Sequence, residues 1–141
     1  MLNNFHTPGD RLLHAGRASL AYAQTAMINR TKFLREAPVE FYRQLYANLE
    51  SFINRAARLK LSPLVRLNVA SDLDFLSVAR DFPRITFYDY SKVFSRANSD
   101  SLPENYQITF SRSEKTANEK LTSILSKGRN VAVVFDVEYN P

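Results

Sequence analysis

The stretch LVRLNVASDLDFLSVARDFPRITFYDYSKVFSRANSDSLPENYQITFSRSEKTANEKLTSILSKGRNVAVVF, residues 64–135, decides the fold. Four short segments in it are rich in β-branched, leucine and aromatic residues: LVRLNVAS (64–71), RITFYDYS (84–91), YQITFS (106–111) and NVAVVF (130–135). Residues of that kind suit a pleated, half-buried surface, so each segment reads as a strand. The intervals between them are too long for hairpins and carry helical spacing, which predicts parallel strands joined by crossovers. The expected fold class is therefore α/β, with about four mostly parallel strands and connecting helices, resembling part of a β/α-barrel.

The crossovers have their own punctuation. S-D-L-D at 71–74 resembles a capping box that opens a helix through Leu73, Leu76 and Ala79 to Phe82, where Pro83 stops it. KVFSRANS (92–99) reads as a short helix or loop. Ser113 is expected to cap a helix carrying Leu121, Ile124 and Leu125, which Gly128 closes. NVAVVF is nearly unbroken in its apolar character, the pattern of a strand buried on both faces.

Upstream, residues 1–16 read as an irregular arm with Pro8, Gly9 and Gly16, and 17–60 as helical. The first helix, 17–35, places Leu20, Ala23, Met27, Arg30 and Leu34 at intervals of three or four. The second, 38–60, keeps Val39, Tyr42, Leu45, Tyr46, Leu49, Phe52, Ile53, Ala56 and Leu59 on one stripe, with Pro38 in its first turn. That stripe predicts packing of the two helices on the sheet. The whole chain, 1–141, reads as one domain, since 141 residues suffice for one core and not for two ordinary ones.

Composition excludes several chemistries. Cysteine is absent, which removes disulfides, zinc-thiolate sites, iron–sulfur ligation and cysteine nucleophiles. His6 and His14 lie eight apart with no carboxylate at a ligand offset, so no metal is expected. Three glycines in the whole chain leave no phosphate-cradling loop, and no cofactor is expected. The beginning, MLNNFHTPGDR, has no apolar core of a signal peptide, and no apolar run approaches the roughly 20 residues of a membrane span. A cytoplasmic protein is the expectation.

Two surfaces are candidates for function. The net charge of +5 attracts polyanions, and 12% aromatic residues supply stacking surfaces for bases. Helix 38–60 carries the cations Arg43, Arg55, Arg58 and Lys60, and its exposed face becomes basic toward the C-terminal end, where the last three also complement the helix dipole. The second surface is the rim where parallel strands end and helix amides begin, the usual place for ligands in α/β folds. Ser71 and Asp72, Asp89 to Lys92, Ser111 to Glu114, and Asp136 occupy those ends. An enzyme of nucleotides or phosphate esters would use Asp72 or Asp89 as base and Lys92 or Arg112 to stabilise charge. Helix capping alone explains Ser71 and Ser113. Arg66 and Asn68 alternate with Val65, Leu67 and Val69 and share one face, which suits a ligand floor or satisfaction by Asp72, Asp89 or a neighbouring helix, an internal ion pair being the expected use.

At VRLNVASD (65–72), FYDYSK (87–92), NYQITFSRSE (105–114) and GRNVAVVF (128–135), the chain resembles the gene product 88 family of uncharacterised phage and plasmid proteins. The resemblance covers roughly residues 21–135 and implies a mobile-element origin and a partial β/α-barrel-like core, without a known activity. It also implies longer members with a Cys-Tyr-Ala motif where this chain has Ala21, Tyr22 and Ala23, and with further sequence after the last strand. A shortened member without cysteine is then expected to be a non-enzymatic binding protein that reuses the scaffold. Its expected partner is nucleic acid or a host nucleoprotein, and an inhibitor of a CRISPR complex is one specific form of such an anti-defence role.

Overall fold

The computed structural model describes residues 21–68 and 73–135. Contacts divide the chain into two units, Met1–Leu59 and Lys60–Pro141. In the first, α1 runs Ala21–Glu36 and α2 runs Pro38–Arg58. Pro38 takes the first turn of α2, where its missing N–H costs no hydrogen bond. Ala37 alone separates the helices, and the Phe33 and Phe41 rings meet edge to face across that break at 5.6 Å. The amphipathic stripe of α2 is narrower than its sequence spacing predicts. Leu49 and Ala56 are buried, Tyr42, Leu45, Tyr46 and Ile53 are half-buried, and Val39 is 84% exposed. The helix also ends earlier: Leu59 is its C-cap, and Lys60 follows in the left-handed region at φ 55°.

The second unit is the expected α/β sheet. Strands β1 (Leu64–Val65), β2 (Thr86–Ser91), β3 (Tyr106–Ser111) and β4 (Val131–Ala132) lie in sequential order, and every pair is parallel. Between them come α3 (Leu76–Asp81), α4 (Phe94–Ala97) and α5 (Asn118–Ser126). Sequential parallel strands joined by crossovers of one hand carry their helices on one face. That face is the core: Phe87, Tyr106, Ile108 and Phe110 from the strands meet Val78, Ala79, Ala97 and Ile124 from the helices, all buried. Phe94 of α4 stands edge to face on Phe110 at 6.1 Å, which seats α4 against β3.

Several elements are shorter than their sequence patterns suggest, each for a local reason. β1 stops at Val65, because Asn68 turns inward and binds both backbone groups of Leu73, accepting from its N–H at 3.1 Å and donating to its C=O at 2.8 Å. Leu73 is thereby held out of the helix, and α3 starts at Leu76, whose N–H donates to Asp74 at 2.9 Å rather than to a capping box. Ser71 lies outside the described residues. Ser113 does not cap α5 either. It closes a turn with Thr116, whose hydroxyl is 3.0 Å from both the Ser113 N–H and its side chain, and the helix begins at Asn118.

The NVAVVF segment is an edge strand, not one buried on both faces. Among the described residues β4 pairs only with β3, Val131 to Val133 are half-buried, and Val134 and Phe135 are 93% and 77% exposed. A periodic apolar run cannot report how many neighbours the strand finds.

Gly128 does terminate α5 as expected. Its φ is +67°, its N–H donates to Leu125 O at 2.9 Å, and Arg129 N–H reaches Ile124 O at 3.3 Å, the two bonds of a Schellman cap. A Cβ there meets no atom within 4 Å, so Gly128→Ala tests backbone strain alone. We expect it to lower folding stability by about 1 to 2 kcal/mol in chemical denaturation. No change would mean that the turn relaxes out of the left-handed region.

Candidate functional site

Asp89 stands inside β2 rather than at its end, and it faces the core at 1% exposure. Alternation along the strand puts Phe87, Asp89 and Ser91 on the buried side, so the carboxylate must find its partners within the protein. It has four. Asn68 donates to it at 2.7 Å, the Tyr106 hydroxyl at 3.0 Å and Arg96 of α4 at 3.2 Å, while Arg66 Nε approaches at 3.7 Å. The Tyr90 N–H adds a backbone bond to the other oxygen at 3.1 Å. Arg96 also donates to the Tyr106 oxygen at 3.0 Å, closing a three-membered ring of carboxylate, phenol and guanidinium. Burial, and then the charge of Asp89, push the Tyr106 phenol up to about 12, so it remains a hydrogen-bond donor through the neutral range.

This hub corrects the expectation that Asp89 is a rim residue. A base must reach a substrate proton, and this carboxylate is enclosed by its own partners. The ion-pair expectation for Arg66 and Asn68 matches the geometry: both engage Asp89. Arg96 and Tyr106 were missed as members because nothing local marks them. Their only sequence signal is that a buried aspartate in a strand requires donors from neighbouring elements.

Among the described rim residues, Lys92, Ser111, Arg112 and Glu114 do not border the depression at the amino ends of β3 and β4. Lys92 and Arg112 follow the ends of neighbouring strands and are exposed, Ser111 is half-buried, and Glu114 is exposed. The Ser91 hydroxyl accepts from the Val93 N–H at 3.0 Å and shapes the entry to α4. Asp72 and Asp136 lie outside the described residues. A depression of about 300 Å³, bordered by Leu102, Tyr106, Gly128 and Arg129, opens at the amino ends of β3 and β4, away from the rim. Among the described residues no cluster of three His, Asp or Glu has the arrangement of a metal site. His6 and His14 are not among them.

Cations divide into those consumed by the fold and those left on the surface. Arg129 donates to Ala97 O and Ser99 O, both at 2.6 Å, and satisfies carbonyls at the end of α4. Lys127 binds Asn98 O at 2.8 Å and Asp100 at 2.7 Å. Arg80 reaches Ser101 O at 2.9 Å. On α2, Arg43 makes a two-pronged bond with Glu40, which holds that carboxyl below its ordinary value, so Arg43 is a screened cation. By contrast Arg55, Arg58, Lys60, Lys92 and Arg112 are exposed, and none forms an ion pair among the described residues. Arg55 and Arg58 lie in the last turn of α2, Lys60 just past it.

No helix among the described residues is long and apolar enough to cross a membrane. A family model described as gene product 88 matches residues 13–141. No curated protein and no solved structure matches the chain.

Proposed function

The chain belongs to the gene product 88 family, and from that premise we propose that it is a phage-encoded binding protein without catalytic activity. It engages nucleic acid, or a host nucleoprotein that contains it, through its exposed cations, and it works in the cytoplasm of the host. An inhibitor of a host defence complex of the CRISPR kind fits this reading.

The observation that carries the proposal is the division of the cations. Arg66, Arg96, Lys127 and Arg129 are bound to the protein's own acceptors, whereas Arg55, Arg58, Lys60, Lys92 and Arg112 hold their charge in solvent. Unpaired surface cations gain by replacing counterions around a polyanion, and paired ones do not. Asp89 is enclosed by its own partners, so no specific observation favours the enzymatic alternative built on Asp72, Asp89, Lys92 and Arg112.

Binding of a labelled oligonucleotide is expected to fall steeply with salt, with a slope of about 0.7 to 0.9 in log K per phosphate contact. Replacing Arg55, Arg58 and Lys60 together by glutamine is expected to reduce that slope by about two to three. Pull-down from host lysate should recover nucleic acid or a nucleoprotein. Salt-independent binding, or a pull-down containing neither, overturns the proposal.

A further inference from the structure

Among the described residues of β2 and β3, the buried side chains lie on one face of the sheet. Thr86, Tyr88 and Tyr90 of β2 and Gln107, Thr109 and Ser111 of β3 point away from the buried side. In register, Tyr88 pairs with Gln107 and Tyr90 with Thr109, so these side chains form one continuous field across the two central strands. Thr86, Tyr90 and Gln107 are exposed and the other three are half-buried. Parallel sheets are normally covered on both faces and carry apolar residues on both. This face instead carries hydroxyls, an amide and two phenol rings.

Tyr90 is held in place. The Arg66 guanidinium lies 5.0 Å from its ring centroid, while Arg66 Nε is fixed by Asn68 O at 2.9 Å and faces Asp89 at 3.7 Å. The buried hub therefore orients an aromatic ring that is itself 45% exposed. At the carboxyl edge of the same two strands stand Lys92 and Arg112, both exposed.

We propose that this face is a stacking platform for single-stranded nucleic acid, with a base on Tyr90, a second on Tyr88, and the backbone passing Lys92 and Arg112. The proposal rests on the nucleic-acid reading above and names the strand state and the surface. Aromatic rings beside cations match the two parts of a single strand, a base with a free π-face and a phosphate. Duplex bases have their faces stacked on each other and offer the ring nothing. The polar field suits base edges and sugars better than the apolar layer of a protein partner, which would leave Gln107 and the hydroxyls without hydrogen bonds.

The experiment measures anisotropy of a fluorescein-labelled single-stranded oligothymidylate and of a duplex with the same phosphate count, using the full chain. The wild type is expected to prefer the single strand. Tyr90→Leu keeps an apolar cover for Arg66 but has no π-face, and it is expected to lose about ten-fold in single-strand affinity with duplex affinity unchanged. Tyr90→Phe is expected to retain binding. A Tyr90→Leu protein that still prefers the single strand at wild-type affinity overturns the platform, as does an equal loss on both nucleic acids. If Lys92→Gln and Arg112→Gln weaken binding while Tyr90→Leu does not, the platform falls and the cationic reading stands; if the wild type binds neither probe, the platform falls and the pull-down decides the nucleoprotein reading. Dimerisation in sedimentation that Tyr90→Leu abolishes would assign the face to a second copy and also overturn it.

Discussion

Asp89→Ala is expected to lower folding stability by about 3 to 5 kcal/mol, because it removes the buried carboxylate to which Arg96, Asn68 and Tyr106 all donate. Arg96 has a side chain only 15% exposed and donates to the carboxylate at 3.2 Å. Asn68 and Tyr106 point at the same oxygen from 2.7 and 3.0 Å. Such a loss is a large part of the roughly 5 to 15 kcal/mol available to a typical domain. Urea denaturation followed by circular dichroism measures it. Asp89→Asn keeps the shape but not the charge, and its stability should fall between that of wild type and alanine. The pair Asp89→Leu with Arg96→Leu should recover part of the loss, since removing both charges ends the desolvation cost that removing one creates. A drop below about 1 kcal/mol in Asp89→Ala would show that the hub contributes little.

Phe87→Ala should cost about 3 to 5 kcal/mol by a different mechanism, the loss of buried apolar area together with the cavity left behind. Phe87 is 1% exposed on the core side of a central strand, and its ring stands 6.1 Å from that of Tyr106. The backbone there is secured independently, with the Phe87 N–H on Asn105 O at 2.7 Å, so the strand remains and the hole cannot close by local collapse. Val134→Ala supplies the contrast. At 93% exposure it should change stability by no more than about 0.5 kcal/mol, although NVAVVF is the most apolar strand segment in the sequence. Thermal or chemical denaturation of the two variants side by side separates burial from hydrophobicity.

The two expectations that failed most clearly, Asp89 as a rim group and NVAVVF as a strand buried on both faces, failed for one reason. Both depend on how many neighbours a strand position acquires. The rim reading counts Asp89 among the residues at the end of RITFYDYS, yet β2 continues through Ser91 with Asp89 facing inward. Its burial is tolerable because Arg96, ten residues before Tyr106, and Asn68, three residues past β1, meet it in space. Asn105 makes the same point in miniature. In sequence it is a turn residue before β3, but its amide nitrogen lies 2.9 Å from Ala79 O and from Ile85 O and 3.1 Å from Phe82 O, closing the end of α3.

The alternation of RITFYDYS and YQITFS, the stops at Pro83 and Gly128, and connections too long for hairpins were enough for four strands in a parallel α/β arrangement. These are properties of the chain with itself: strand period, turn chemistry and reach are local, and they act before any distant contact forms. Tertiary structure alone decided which polar residues became internal bonds and which remained available. A cation is consumed or free according to whether an acceptor from another element lies within about 3 Å of it, so Arg66, Arg96 and Arg129 were drawn inward while Lys92 and Arg112 were left at the sheet edge.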